Sequence, residues 1–281
     1  MKRKWEVSNP IAVLQVVHGL TEHAGRYEEL ATFLNENRIS VVAMDLRGHG
    51  SSEYPHKSYF DGGWNAVIED IVDFAKETKK EDVPYFIMGF SLGSFLVRHI
   101  MISNNLLVDG YIIAGTDWKP VFILKLIAFI VKKEGQKIGM TNTSDFIKNI
   151  AFGTYNKKIK NPKTDFDFLC SNTDELIEYM NDALCNRSIS AGLLFDLING
   201  MIITENKENL NQMKKSKVIF ISGNEDPVGG NGKGVKITAK VFEEIGMDVD
   251  LKLFEGMRHD IFHEKDREEV FQVILNFLLE S

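Results

Sequence analysis

With 281 residues, 44% of them hydrophobic and 26% charged, the chain can bury one large core, as a single domain with an insertion or as two small domains. Its net charge of -7, with no long block of lysine or arginine, argues against a nucleic-acid partner. Met1-Lys2-Arg3-Lys4-Trp5 is basic but leads into Glu6, Ser8, Asn9 and Pro10 rather than an apolar stretch, so no signal peptide is read and a cytoplasmic location is expected.

From the N-terminus onward, short runs rich in valine and isoleucine alternate with segments of helical periodicity. Strands are predicted at Ile11-Val17, Ser40-Met44, Pro84-Met88 and Gly110-Ala114, with helices at about 24–37, 64–80 and 92–105. Two further strands, Lys217-Ser222 and Val249-Phe254, are followed by helices at about 232–246 and 265–280. Apolar strands alternating with helices read as an α/β chain whose mostly parallel central sheet is covered by helices on both faces. Between Ala114 and Lys217 lie about a hundred residues, whereas a crossover with its helix needs only a dozen or more. Val121-Phe122-Ile123-Leu124, Phe129-Ile130-Val131, and Leu193, Leu194, Leu197, Ile198 and Met201 recur there at helix-like spacings. A helical cap over the carboxyl edge of the sheet is therefore expected at about 116–206, leaving 1–115 and 207–281 as the core. Its apolar run Val121 to Val131 is about half the length that crosses a bilayer and is interrupted by Lys125. With Lys132-Lys133 behind it, that run reads equally as a helix packed on its neighbours or as a contact for a lipid surface.

Gly89-Phe90-Ser91-Leu92-Gly93 follows the apolar run Tyr85-Phe86-Ile87-Met88 and opens a predicted helix, the form of the nucleophile elbow of the α/β-hydrolase fold. The turn is so tight that its flanking positions tolerate no side chain, and the serine is held in a strained conformation with its hydroxyl exposed. A serine hydroxyl is a poor nucleophile at neutral pH and needs a base, itself oriented by a third group. In this fold the partners follow in the order serine, acid, histidine. His18, His23, His49 and His56 precede Ser91, and His99 lies within the helix that the serine opens, which leaves His259 and His263. His259 is preferred because it falls just past a predicted strand, whereas His263 lies one turn further on, at or inside the last helix. The expected acid is Asp226, just past the strand Lys217-Ser222, with an extended backbone favoured by Pro227 and with Glu225 as the alternative. Two backbone donors should face the oxyanion: the N–H of Leu92 at the start of its helix, and the N–H of Leu20 in the loop after the first strand.

Rival motifs carry less. His259-Asp260-Ile261-Phe262-His263 has the histidine spacing of a zinc site but Asp where the general base Glu belongs, and no third ligand is evident. Gly229-Gly230-Asn231-Gly232-Lys233-Gly234 imitates a phosphate loop, yet Pro227 stands where its first glycine belongs and Gly234 where a hydroxyl should hold magnesium. It is read as a turn into a helix. Gly48-His49-Gly50-Ser51-Ser52-Glu53 lacks the third glycine of a dinucleotide site. Glu22, His23 and Arg26 are read as a buttress for the oxyanion loop, His49 as structural, and Cys170 and Cys185 as ordinary thiols. Neither a metal nor a cofactor is expected.

His18-Gly19-Leu20-Thr21-Glu22-His23-Ala24-Gly25-Arg26-Tyr27, Asp45-Leu46-Arg47-Gly48-His49-Gly50-Ser51, the Ser91 elbow, Asp226-Pro227-Val228 and Arg258-His259 together resemble the monoacylglycerol lipase and lysophospholipase group of α/β-hydrolases. The resemblance covers the core on both sides of the insertion and implies a triad of Ser91, Asp226 and His259 with oxyanion donors at Leu20 and Leu92. The cap carries no comparable signature. Serine with a histidine base and an oxyanion pocket suits acyl transfer, so ester hydrolysis is expected, on a single-chain lipid ester such as a monoacylglycerol or lysophospholipid. The alternatives are a small-ester carboxylesterase, a peptidase acting on short peptides, or a non-catalytic ligand-binding member of the fold. Oligomeric state is not legible.

Overall fold

Seven strands form one sheet in the order β1-β3-β2-β4-β5-β6-β7 in the computed structural model, which describes residues 1–280. They are β1 (Lys2–Trp5), β2 (Ala12–Val17), β3 (Ile39–Met44), β4 (Tyr85–Phe90), β5 (Gly110–Ala114), β6 (Lys217–Gly223) and β7 (Asp248–Phe254). All neighbours pair in parallel except β1, which runs antiparallel along β3 with Lys2 opposite Met44. This cationic edge strand, with three lysine or arginine residues in four, was not foreseen. Charge is what keeps an edge strand from pairing with other chains, and it also hides the strand from a search for apolar runs.

The central strands β2, β4 and β5 are buried at every residue, because helices cover both faces and alternation is lost. Gln15 of β2 is the polar exception: its amide donates to the Ile71 carbonyl at 3.1 Å and accepts from the Tyr85 hydroxyl at 2.9 Å. On one face pack α2 (Gly63–Thr78), α3 (Leu92–Ser103) and α9 (Lys233–Glu244); on the other, α1 (Glu28–Glu36) and α10 (Arg267–Leu279). The helix expected at 24–37 is broken, with a 3-10 turn at Ala24–Tyr27 leading into α1. The last helix starts only at Arg267, and His263 sits ahead of it in a 3-10 turn, Ile261–His263.

The long interval holds α4 (Val121–Ile138), α5 (Asp145–Phe152), α6 (Thr173–Asn181), α7 (Ala191–Thr204) and α8 (Lys207–Leu210). Of these, α4 and α7 pack on each other and α7 on α3, so Leu124, Ala128, Leu193 and Ile198 extend the core of the α3 face. The outer side of α4 is different: Phe122, Leu126 and Phe129 are exposed by 74%, 60% and 60%.

Phe220 is fully buried on β6, edge-on to Phe242 of α9 with ring centroids 5.1 Å apart. Phe220→Ala is expected to lower stability by about 3–5 kcal/mol through the lost transfer energy and the remaining cavity. Urea unfolding checks this as a fall in midpoint with an unchanged slope.

Candidate active site

Ser91 stands alone between β4 and α3 with φ 51° and ψ -114°, a backbone that L-residues adopt only under constraint. The constraint is visible in its neighbours. A Cβ on Gly89 would run into the carbonyl oxygen of Gly93, and one on Gly93 into that of Val17, backbone atoms that no rotamer change can move. The Ser91 N–H donates to the Ala114 carbonyl at 2.9 Å, tying the elbow to β5.

His259, in the loop after β7, places Nε2 2.9 Å from Ser91 Oγ and Nδ1 3.0 Å from Asp226 Oδ2. Asp226, just beyond β6, has no solvent access, and its carboxylate also accepts from the Val228 N–H at 2.8 Å and the Ser222 hydroxyl at 3.3 Å. Facing a carboxylate, Nδ1 carries the ring proton and leaves the Nε2 lone pair for the serine hydroxyl. Burial alone would push the His259 ring down. The charge and hydrogen bond of Asp226, helped by Asp260 and Glu22, outweigh it and hold the ring above its ordinary value. The two alternatives from the sequence lie elsewhere: Glu225 is exposed, and His263 turns its Nδ1 to Asp260 at 2.8 Å and its Nε2 to the Arg26 carbonyl at 3.1 Å.

Leu20 and Leu92 line the same cavity as Ser91 and His259, and neither N–H has an acceptor among the described residues. The turn carrying Gly19 and Leu20 is pinned by two buried side chains. His18 spans the Gly19 carbonyl, 2.8 Å from Nδ1, and the Leu46 N–H, 3.0 Å from Nε2. Glu22 accepts from the Gly19 N–H and from the Tyr27 hydroxyl, and Arg26 lies against it, whereas His23, read from the sequence as part of the same buttress, turns to Gly25 and Asp182. His49 packs on His18, with ring centroids 5.4 Å apart, and bonds the Arg47 carbonyl, a structural place. The cavity, about 150 Å³, is apolar beyond the serine, where Leu124, Ile127, Phe152, Leu194, Ile198 and Met201 line it.

The loop that carries His259 is also stitched to the inserted segment. Arg258 donates to the carbonyls of Asp167 and Cys170, the His259 and Asp260 N–H groups to those of Phe168 and Leu169. The buried Glu264 carboxylate accepts from Ser171 N–H and hydroxyl and from Arg258 N–H. Arg258 entered the sequence reading only as part of a resemblance, and Glu264 was missed: their partners are mostly backbone atoms, which leave no residue-type signature. Gly229 to Gly232 form the expected turn into α9. A further group, His23, Asp182 and Cys185, brings three ligand atoms within 4.8 Å of one another. It does not fit a metal: the Gly25 N–H donates to His23 Nδ1, so the proton sits on Nε2 and points at Asp182 2.8 Å away.

A strained serine at a strand-to-helix turn, in contact with a histidine that a buried aspartate holds, on a mostly parallel sheet wrapped by helices, defines an α/β-hydrolase. Within that class the chain belongs to the family described as serine aminopeptidase, S33, whose model matches residues 8–266. It is 25% identical over 287 residues to the monoglyceride lipase of Rattus norvegicus, covering 98% of this chain and 83% of that protein. It is 27% identical over 275 residues to an uncharacterized abhydrolase domain-containing protein of Dictyostelium discoideum, covering 96% of this chain but only 26% of that longer protein. Among solved structures it is similar to a thermostable carboxyl esterase from Bacillus coagulans, with a TM-score of 0.89 and 27% identity over 98% of this chain and 91% of the other. The sequence motifs that resemble monoacylglycerol lipases thus belong to a similarity that runs through nearly the whole chain.

Burial pushes His18 down to about 3 and His49 to about 4 from an ordinary 6.5, so both stay neutral in the folded protein while the unfolded chain takes up protons below 6.5. Their contribution to stability is complete above 6.5 and is lost as the pH falls towards 4. Chemical denaturation as a function of pH should show that slope, and His49→Asn should flatten it.

Proposed function

We propose that Ser91, His259 and Asp226 are the nucleophile, base and orienting acid of an esterase whose substrate is a single-chain lipid ester, a monoacylglycerol or lysophospholipid. The observation that carries the reading is the unbroken chain of contacts from Ser91 Oγ through both ring nitrogens of His259 to Asp226, at 2.9 and 3.0 Å. Ser91 Oγ attacks the ester carbonyl carbon while His259 Nε2 takes its proton; Asp226 keeps the ring oriented and stabilises its cationic form. The N–H groups of Leu20 and Leu92 receive the oxyanion, each worth about 3 kcal/mol of barrier. Collapse expels the alcohol, which takes the proton from His259, and leaves an acyl-enzyme. His259 then deprotonates water, which attacks the acyl carbon, and Ser91 leaves with the free acid as the other product. The mechanism needs no metal or cofactor.

We read residues 116–206 as the cap and its apolar cavity as the acyl pocket. The cavity, together with the similarity to a lipase, favours a lipid over a short ester. Against an aminopeptidase stands the state of the carboxylates that line it. Glu22 is committed to Gly19, Tyr27 and Arg26, Asp117 to Lys119, and Asp260 to Arg26 and His263, so none is left to bind a substrate ammonium.

Fluorophosphonate labelling should be lost in Ser91→Ala, and hydrolysis should fall to background in His259→Ala and by about 10⁴-fold in Asp226→Asn. Since only neutral His259 accepts the serine proton and its value is raised, the acid limb of kcat/KM should lie above 6.5. Across p-nitrophenyl esters and monoacylglycerols kcat/KM should rise with chain length; good turnover of acetates with none beyond about four carbons would overturn the lipid assignment.

No helix of the described residues is long and apolar enough to cross a membrane. The exposed Phe122, Leu126 and Phe129 of α4, flanked by exposed Lys125, Lys132 and Lys133, suit transient contact with an anionic lipid surface. Replacing the three apolar residues with serine should weaken binding to phosphatidylglycerol vesicles at least roughly tenfold, with hydrolysis of a water-soluble ester unchanged.

A further inference from the structure

Asp260 follows His259 directly, and its buried carboxylate reaches across to the oxyanion loop. Its Oδ1 lies 2.8 Å from His263 Nδ1 and its Oδ2 2.9 Å from Arg26 Nη2. Arg26 Nε lies 3.3 Å from Glu22 Oε2, and the other oxygen of Glu22 accepts from the N–H of Gly19, the residue before Leu20. The turn that carries the base and the turn that offers an oxyanion donor are thus joined by two carboxylates sharing one guanidinium, all three side chains nearly out of water. We propose that Asp260, Arg26 and Glu22 are a positioning network that sets the oxyanion loop in register with His259 and places negative charge beside that ring. The proposal rests on the assignment of His259 as the base.

The charge matters because His259 becomes a cation in the reaction. Asp226 faces it at 3.0 Å, and Asp260 and Glu22 also favour its protonated form. A buried carboxylate with a strong partner keeps its charge: despite burial, His263 and Arg26 hold Asp260 well below the usual carboxylate range. Glu22 is pushed the other way, upward, by burial and by Asp260, while Arg26, the Gly19 N–H and the Tyr27 hydroxyl, which all face its carboxylate, favour the charged form. Other ionisable groups around the network are the Tyr27 phenol, on the loop side, and the Tyr179 phenol and the Cys170 and Cys185 thiols of the inserted segment, all pushed up by burial and so uncharged at neutral pH.

The test is the pH dependence of hydrolysis of a soluble p-nitrophenyl ester by Asp260→Asn and Glu22→Gln. Each replacement keeps the shape and a hydrogen-bonding oxygen but removes the charge. In Asp260→Asn, kcat should fall roughly tenfold with KM within about threefold, and the acid limb should move to lower pH by about half a unit or more. Glu22→Gln should move the limb in the same direction and is decisive where Asp260→Asn folds poorly, since its amide oxygen still accepts from Gly19. His263→Gln leaves both carboxylates in place and should not lower the limb. A limb that stays at the wild-type pH in both charge-removing variants, with only the melting temperature reduced, would reduce the network to packing and overturn the proposal. Activity surviving in His259→Ala would instead remove the base assignment, which separates the two failures.

Discussion

Asp226 is a carboxylate without solvent, and a buried charge of that kind persists only where donors surround it. Val228, Ser222 and His259 are those donors, and the last of them dictates most of what happens at this edge of the sheet. Once Nδ1 is committed to Asp226, the ring can turn only its other nitrogen outward, and that nitrogen meets Ser91. The hydroxyl is there because Gly89 lets β4 close on α3 and Gly93 lets α3 close on the end of β2, approaches too tight for any other residue pair. Each group constrains the next, so the arrangement is decided by burial and close approach more than by the strength of any single bond.

A second constraint comes from the inserted helices. The loop that holds His259 is bonded along its length to residues 167–171, with Glu264 clasping Ser171 from below and Arg258 gripping two carbonyls. On its far side the same loop is tied through Asp260 to Arg26. His259 is therefore held between two bodies, and its 2.9 Å approach to Ser91 depends on both. A motion of α4 and α5 that leaves 167–171 in place would open the apolar cavity without disturbing His259.

Much of this was legible in the sequence because the relevant signals are local. Glycines at 89 and 93 bracket a serine after an apolar run, strand Gly110–Ala114 stands where its residues predict, and Asp226 and His259 each follow a strand, β6 and β7. Signals carried by other chemistry were missed. β1 is a strand of lysine, arginine and tryptophan that pairs at an edge, so neither alternation nor an apolar run marks it. The break at Tyr27 within the predicted first helix arises because Ala24 to Tyr27 wind tightly under the Asp45 carboxylate, which accepts from the Ala24 N–H, a partner 21 residues away. His263 fell outside the last helix for a related reason, its ring being used by Asp260 and by the Arg26 carbonyl. The apolar run of α4 was open to two readings in the sequence; Leu124 and Ala128 pack inward, as a helix packed on its neighbours requires, whereas Phe122 and Phe129 face out.

The clasp between Glu264 and Ser171 bears on how substrate preference can be redesigned. Exchanging the helices between β5 and β6 for those of a relative is the natural way to graft a new apolar cavity, with seams near 116 and 206. Such a chimera would discard the carbonyls that Arg258 and the backbone of His259 and Asp260 rely on, and strand a buried carboxylate at 264 without its hydroxyl partner. A seam placed before Asp167 would exchange α4 and α5, which supply one wall of the cavity, and keep the native grip on the histidine.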